Sequence, residues 1–490
     1  MRTPLFRVHL ILCLVLMPVL PTTQLHAEDA AVVAALNSPL KDVSEKNRSA
    51  KQVFDAYIKL STPPMAVGDD FNQATVWPTM ARWNEVSKWA EANSHMGEAL
   101  IGAQFATAFG LPYGVKDSNP AWVKAGLTIS IGDGATVGLV RYDYFPAVRT
   151  IGAYAAAEMY RLGEAGQFDA AFSVGIGYAR FLRQICEQGM LREKLFGLQN
   201  LAESLSIHRD FMWQYLDRLP VEAMQKVALK EYTFLKPSDN EKLRRLQMPE
   251  GDQIIAAAVL KRALTVSAAT GSVDPAQFAE VIGSQGVGGG ALQNFSSQEM
   301  WRRVAGVHGS LEASNEKLAQ VYDDWWRRWK IRPFTTIHQM ATEYSRTNPI
   351  KYGGVMAMLG DLDVAFVWRN VVIAEVNGTV MAAGLCGYYR EFKNTWPRDR
   401  ERAYAVFFQK RFDFDPFDKK AGRFQYRALS ARQAIDTPLG RVWATGCMVW
   451  ALGANHEDDG AAAHSEDGSV GDLVVWPPVR ALARTEGLLK

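Results

Sequence analysis

The sequence predicts an α+β protein, and three features of the chain lead to this fold class. Between about residues 79 and 348, apolar residues recur at the spacing of amphipathic helices. One long helix candidate, Leu362 to Asn394, follows, and after it come short apolar segments separated by turn-forming residues. Because the helices precede the strands, we expect an irregular helical array and then a small domain of one long helix with an antiparallel sheet.

The first 27 residues have the pattern of a secretory signal peptide. Arg2 and Arg7 precede an apolar run from Leu10 to Leu20, and Leu25-His26-Ala27 is a candidate cleavage site before Glu28. The apolar run is shorter than the ~20 residues that a membrane-spanning helix needs. We therefore expect export to the periplasm or beyond, with no transmembrane span after cleavage. An uncleaved anchor is the alternative, because Leu25 is larger than the residue usually found at its position.

The remaining chain divides by composition and by the period of its apolar residues. The predicted segments are a signal peptide (1–27), a short helix and linker (28–78), a helical domain (79–348) and an α+β domain (349–490) that contains an acidic loop (453–472). The glycine-rich piece from Gly283 to Phe295 is interpreted as a linker, because it lacks the Gly-Lys-Ser/Thr ending of a phosphate-binding loop.

Individual elements follow from apolar spacing and from turn residues. The predicted helices are Ser49 to Leu60, Trp83 to Ala90, Val148 to Leu162 with Gly163 as its C-cap, Leu195 to Leu205, and Leu311 to Lys330. The predicted strands are Phe424 to Leu429, one or two strands within Val442 to Leu452, and Leu473 to Trp476. The acidic loop therefore lies between the final pair of strands.

The C-terminal region resembles the globular domain of the major pseudopilins of type II secretion. The motifs that carry the resemblance are Tyr388-Tyr389 at the end of the long helix, Trp396-Pro397, Asp415-Pro416-Phe417 followed by Gly422, Phe424 and Tyr426, and the segments WALGANHEDDG and GDLVVW. The same ending and the helical first half are similar to large exported proteins of planctomycete-type bacteria. The pilin-type leader motif is absent and the matching helix lies deep in the chain, so the protein is not expected to assemble as a pilin.

The resemblance implies a calcium site, because pseudopilins bind calcium through this loop. The carboxylates that match are Asp458, Asp459, Asp467 and Asp472, and the Leu452 carbonyl is a possible neighbour. Calcium takes six to eight oxygen ligands in flexible geometry, which suits a glycine-rich acidic loop. The alternative is a solvated hairpin tip, since Asp, Ser and Gly are also the residues that turns use. His456 and His464 do not have the spacing of familiar zinc sites.

Charge and cysteine content exclude some functions. Removing residues 1–27 takes away two of the 54 basic residues and none of the 52 acidic ones, which leaves a formal charge of zero. No global field therefore favours nucleic acid. Cys186, Cys386 and Cys447 lie in apolar segments, so we expect buried thiols; a Cys386–Cys447 disulfide is the alternative.

The motifs of common enzymes are absent from the sequence or out of context. There is no G-x-S-x-G motif, and the His-Arg-Asp of residues 208–210 lies in a helical run without the other kinase motifs. We interpret His208 and Asp210 as residues of a helix surface, and Trp325, Trp326 and Trp329 as part of a core or a helix seam. The leading hypothesis is an exported, non-catalytic protein with a scaffolding or interaction role at the cell envelope, acting on secreted or envelope protein partners. The alternative is an envelope-polymer hydrolase with its site in the helical region.

Overall fold

The computed structural model describes most of the chain after the predicted signal peptide. The described residues are 28–68, 71–116, 118–229, 246–267, 271–285, 297–331, 336–360, 362–418 and 422–489. The predicted signal peptide and nearly all of the glycine-rich linker lie outside these ranges.

Helices form most of the described structure, and their bounds are as follows. They are α1 (Ala30–Leu36), α2 (Ser49–Tyr57), α3 (Trp83–Ala92), α4 (Ser94–Ala103), α5 (Pro120–Lys124), α6 (Phe145–Glu164), α7 (Phe168–Ile185), α8 (Leu191–Gln214), α9 (Val221–Leu229), α10 (Gly251–Ala263), α11 (Pro275–Ser284), α12 (Ser297–Ala305), α13 (Leu311–Lys330), α14 (Glu343–Arg346), α15 (Gly353–Met358), α16 (Asp363–Glu391) and α17 (Val479–Thr485).

The strands are short and form small antiparallel sheets. They are β1 (Ile129–Ile131), β2 (Val140–Tyr142), β3 (Gln425–Ala428), β4 (Gln433–Thr437), β5 (Gly440–Ala444), β6 (Cys447–Ala451) and β7 (Leu473–Trp476). β1 pairs with β2, β4 pairs with β5, and β6 lies between β3 and β7. The protein is therefore α+β overall, as the order of the elements predicts.

Helices α8 and α16 pack against each other at the centre of the molecule. α16 also packs against α9, and β7 lies against α16 where Gly378 leaves room for Val475. A Cβ atom on Gly378 would lie 2.7 Å from the Val475 side chain, so this close approach requires glycine. One hydrophobic core contains residues from Val32 to Trp476. The chain on both sides of residue 348 contributes to this core, and the helices continue beyond that residue to Glu391.

A smaller apolar cluster lies behind the C-terminal strands. It is formed by side chains from β4, β5, β6, β7 and α17, with Ala461 of the acidic loop packed among them. Ile435 and Val442 face each other across the β4–β5 pair and are both fully buried. The cluster thus joins the C-terminal helix to the sheets and positions the acidic loop.

Several predicted elements are confirmed and others were missed. α13 and β7 have the predicted bounds, and the region Val442 to Leu452 contains two strands. Gly163 was wrongly assigned as a C-cap: α6 continues to Glu164, and Gly166 is the glycine with a positive φ, 75°. β1, β2, β4 and α17 were missed because, unlike the continuous apolar run of β7, each is short and contains polar or charged residues.

Candidate functional site

The acidic loop folds back on itself between β6 and β7. Its two halves cross at Gly453 and Gly468, where a Cβ on Gly453 would lie 2.5 Å from the Gly468 carbonyl oxygen. Both glycines have positive φ angles, 76° and 64°, which a residue with a side chain adopts only with strain. The loop is also hydrogen-bonded to β4 through Asp436, whose N–H donates to Ala462 O and whose carbonyl accepts from His464 N.

The four predicted calcium ligands accept hydrogen bonds from different parts of the loop. Asp458 Oδ1 accepts hydrogen bonds from Trp450 Nε1 and from the Gly460 amide, both at 3.0 Å. Asp472 is fully buried, and its Oδ2 accepts from the Ala461 amide at 2.6 Å. Asp458 and Asp472 thus accept from the amides of two consecutive residues, and the charge of Asp458 acts on Asp472.

Asp467 accepts hydrogen bonds only from its neighbours in the chain among the described residues. Its Oδ1 accepts from the Ser469 amide at 3.0 Å and from the hydroxyls of Ser465 and Ser469, and its side chain lines a cavity. Asp459 is exposed and accepts a long hydrogen bond, 3.4 Å, from Asn455. The charges of Asp458 and Asp459 act on Asp472, whereas Asp467 shares no hydrogen-bond donor with these three residues in the described part of the chain.

Asp472 has one carboxylate oxygen, Oδ1, that is buried without a hydrogen-bond donor among the described residues. Burial raises the pKa of Asp472 to about 7, and the charges of Asp458 and Asp459 add to the increase. Among the described residues, however, no three His, Cys, Asp or Glu side chains converge as a metal-binding group.

A cavity of about 510 Å³ lies between the helical region and the C-terminal strands. α8 and α16 form its floor, and the β4–β5 turn, the second half of the acidic loop, β7, α17 and the C-terminal end of the chain form its walls. Its lining residues are Gln199, Ala202, Glu203, Ser206, Arg209, Trp368, Glu375, Thr437, Pro438, Leu439, His464, Glu466, Asp467, Leu473, Val474, Val479, Arg480 and Leu489. Cavities of this size accommodate small organic ligands.

The floor of the cavity contains a buried ion pair. Arg209 Nη1 of α8 lies 2.5 Å from Glu375 Oε2 of α16 and donates to Thr379 Oγ1 at 2.7 Å. Arg209 and Glu375 are only 3% and 5% exposed, and the Nε of Arg209 has no hydrogen-bond partner among the described residues. Burial raises the pKa of Glu375, while the Arg209 charge opposes the increase.

A second chain of charges crosses the wall of the cavity. Arg480 Nη2 lies 3.3 Å from Glu203 Oε1 and 3.3 Å from Glu466 Oε1, so one guanidinium nitrogen contacts two carboxylates. Glu203 also accepts a hydrogen bond from Gln73 Nε2. Burial raises the pKa of Glu203, and the charge of Glu466 acts in the same direction.

His464 projects from the acidic loop into the same cavity. Its Nδ1 lies 3.2 Å from both the Val474 amide nitrogen and the Asp472 carbonyl oxygen, which compete for that ring atom. Desolvation lowers the pKa of His464 to about 4, and the charges of Arg209 and Arg480 contribute to the decrease. The imidazole is therefore neutral at pH 7.

The remaining walls are largely apolar. Half-buried Trp368 of α16 presents an aromatic surface, and Leu439 at the tip of the β4–β5 turn is 42% exposed beside it in the lining. Leu473, Val479 and Leu489 add aliphatic surface. Ligand sites commonly combine such an apolar lining with a few oriented polar groups.

The residues on the cavity floor were not identified by sequence reasoning. Glu203, Ser206 and Arg209 share one face of α8, but a polar helix face usually indicates contact with solvent. The same reasoning led to an error at His208 and Asp210, which were interpreted as surface residues. Both are buried, at 0% and 2% exposure, because α6, α7, α16 and α17 all pack against α8. Asp210 pairs with Arg484 of α17 at 3.0 Å.

The cysteines and most of the tryptophan cluster behave as predicted. Cys186, Cys386 and Cys447 are buried and free. Trp325 and Trp329 are buried in the core, whereas half-buried Trp326 borders an open surface groove of about 360 Å³.

One segment among the described residues, Gly353–Glu391, is long and apolar enough to cross a membrane. Its most apolar stretch is completely buried within the protein, as is typical of the core helix of a globular fold.

Comparisons with known proteins do not indicate a function for this chain. No protein family, no curated protein and no solved structure matches the chain. The resemblance to pseudopilins and to planctomycete-type exported proteins therefore stays a prediction.

Proposed function

We propose that the protein is an exported, non-catalytic binding protein whose ligand site is the cavity between α8, α16 and the C-terminal strands. The observation that carries this proposal is the buried Arg209–Glu375 pair on the cavity floor. An ion pair removed from water must recover a large desolvation penalty and is weak evidence for stability alone. Binding of a polar ligand in the cavity that this pair lines would give the pair a role besides stability.

The position of the cavity also supports binding rather than a structural role. Six separate elements and the acidic loop converge there, and loops that surround a rigid floor are common sites of recognition. The floor is rigid because α8 and α16 are the central pair of helices in the core. Binding at this junction would fix the C-terminal strands against the helices, which agrees with an interaction or scaffolding role at the envelope.

Export is part of the proposal because of the predicted signal peptide. The residue after the predicted cleavage site, Glu28, accepts hydrogen bonds from the amides of Val115 and Ile131 at 2.7 and 3.2 Å. Asp29 caps α1 and pairs with Arg262. A mature chain that began at Glu28 would thus be held in place from its first residue. Mass measurement of the purified mature protein tests this start.

Calcium is a second candidate role for the acidic loop, and buried Oδ1 of Asp472 is the observation that favours it. Asp458 and Asp459 are the carboxylates close enough to influence its pKa, and backbone carbonyls would have to supply further ligands. The ion would be structural. Melting curves with calcium and with chelator should differ for the natural protein and coincide for Asp458→Ala/Asp472→Ala. Coinciding curves for the natural protein would refute a calcium site.

A bulky side chain introduced into the cavity tests the proposal that the cavity binds a ligand. Ser206 is half-buried on the α8 face that lines the cavity, so Ser206→Phe should fill part of its volume. A panel of sugars, amino acids, amines and organic acids would be screened by thermal shift. A ligand at a hundred times its Kd stabilises a protein by about 2.7 kcal/mol. We expect at least one class to raise the Tm of the natural protein and not that of the variant.

The matched control is Ala462→Phe, on an exposed part of the same loop that does not line the cavity. It should retain every shift that the natural protein shows. A panel with no stabilising compound, or shifts that persist in Ser206→Phe, would contradict the proposed site.

A further inference from the structure

The charged groups that line the cavity are predominantly negative. Four carboxylates, those of Glu203, Glu375, Glu466 and Asp467, face two guanidiniums, those of Arg209 and Arg480. Among these carboxylates and guanidiniums the excess is two negative charges.

Both guanidiniums are already engaged by carboxylates. Arg209 pairs with Glu375, and Arg480 is shared between Glu203 and Glu466. The fourth carboxylate, Asp467, forms no ion pair within the described part of the chain and accepts only from Ser465 and Ser469. An anionic ligand would therefore have to displace existing partners, whereas a cationic ligand would find unpaired negative charge.

The aromatic wall is suited to the same kind of ligand. Trp368 lines the cavity from α16, seven residues before Glu375 and thus on the same side of the helix. Tryptophan is the side chain that attracts cations most strongly through its ring face. Leu439, Leu473 and Val479 offer aliphatic contacts to the body of a molecule whose charged end meets the carboxylates.

We propose that the ligand of this cavity is an organic ammonium ion: a small molecule with an apolar or sugar-like body and at least one protonated amine. This inference rests on the proposed function, because it names the chemical class that the same cavity binds. The amine would be held by Asp467 and Glu466 at the loop and the ligand body by Trp368.

The titration of the buried carboxylates agrees with this class. Burial raises the pKa values of Glu203 and Glu375, and the negative charge of Glu466 raises both further. A bound ammonium ion would offset that repulsion and favour the ionised carboxylates. An added anion would have the opposite effect.

Isothermal titration of the purified protein with two pairs of probes tests the inference. One pair is the glucosamine disaccharide with free amines and its diacetylated form, and the other is cadaverine and the corresponding pentanediol. Each pair keeps the body and changes the charge. We expect an amine to bind, its neutral partner not to bind, and the affinity to fall at high salt because screening weakens partly exposed charge pairs.

Two double variants test whether the amine binds in the cavity. Glu466→Gln/Asp467→Asn removes two charges that line the cavity, and Glu312→Gln/Glu457→Gln removes two exposed charges outside it. We expect the first to weaken amine binding by about tenfold, equivalent to about 1.4 kcal/mol. The second should change it by less than about twofold, since exposed charges outside the site are screened.

The outcomes separate this inference from the proposed function. Equal binding of the neutral partners, or equal loss in both double variants, would overturn the ammonium ion and leave the cavity as a site for another class. Failure of every probe together with a silent thermal-shift panel would overturn both.

Discussion

Glu193 and Glu203 lie on the same helix, α8, and illustrate two different environments of a carboxylate, one fully buried and one half-buried. Glu193 is fully buried, and its oxygens accept hydrogen bonds from the hydroxyls of Tyr113 and Tyr144 at 2.6 and 2.8 Å. Glu203 has a side chain that is 31% exposed, borders the cavity and shares Arg480 with Glu466. Burial raises the pKa of both carboxyls.

The difference shows that a raised pKa does not by itself indicate a functional group. The Glu193 carboxylate has both oxygens occupied by tyrosines, so it contributes to structure. The Glu203 carboxylate borders open volume and belongs to a cluster with more negative than positive charge. The candidate site thus differs from the surroundings of Glu193 in two ways: a cavity adjoins it, and its carboxylates outnumber its guanidiniums.

Removing the carboxylate of Glu193 should have the largest effect on stability. Glu193→Ala leaves the buried hydroxyls of Tyr113 and Tyr144 without their acceptor, and each unsatisfied group costs 1–3 kcal/mol, so we expect a loss of about 3 kcal/mol. Urea unfolding followed by circular dichroism measures it. Glu193→Gln, which keeps a carbonyl acceptor, should lose less than half as much. A loss below about 1 kcal/mol in Glu193→Ala would show that the tyrosines find other partners.

Adding a methyl group at Gly175, where α7 packs against α8, should have the next largest effect on stability. A Cβ on Gly175 of α7 would lie 2.2 Å from His208 Nε2 and 2.5 Å from Met159 Sδ. Overpacking of this kind costs about 2 kcal/mol, which the same unfolding measurement would detect in Gly175→Ala. At Gly306 the nearest atom to an added Cβ is 3.6 Å away, so Gly306→Ala should be close to neutral. Similar stabilities for the two variants would contradict the close packing around His208.

Substitution of Asp472 in the acidic loop should change the free energy of unfolding by an intermediate amount that depends on pH. Because the pKa of Asp472 is raised to about 7, the folded protein binds this proton more tightly than the unfolded chain. The stability that this proton binding contributes is present at low pH and is lost as the pH rises through 7. In chelator, Asp472→Asn should match the natural protein near pH 4 and exceed it by about 1 kcal/mol at pH 8, because water and salt screen part of the repulsion.

Stability curves of both proteins across this pH range check the prediction, with Asp459→Asn as the control on the same loop. Asp459 is exposed, so its substitution should change the curve little. An advantage of Asp472→Asn that is constant with pH would mean that the carboxyl does not titrate in this range.

The smallest effect on stability is expected at the cavity. Glu203→Gln removes a partly exposed charge that Arg480 shares with Glu466, so the free energy of unfolding should change by less than about 1 kcal/mol. The comparison with Glu193→Ala uses one helix and one assay. A loss as large as that of Glu193→Ala would indicate that Glu203 is structural.

Much of the fold could be predicted from local patterns. α13, α16 and β7 were recognised because long or strongly apolar segments have a clear period. The acidic loop between β6 and β7 was also placed correctly. The different hydrogen-bond partners of its carboxylates were not predicted, since they depend on how the loop folds back on itself.

The sequence by itself determined the α+β class, the helical first region and the composition of the acidic loop, because periodicity and turn chemistry are local properties. Only the tertiary structure brought Arg209 and Glu375, 166 positions apart in the chain, into one ion pair. It also decided that His208 is buried and that Asp467 faces a cavity. These outcomes depend on which faces of α8 and α16 meet other elements, and that packing is a property of the whole chain.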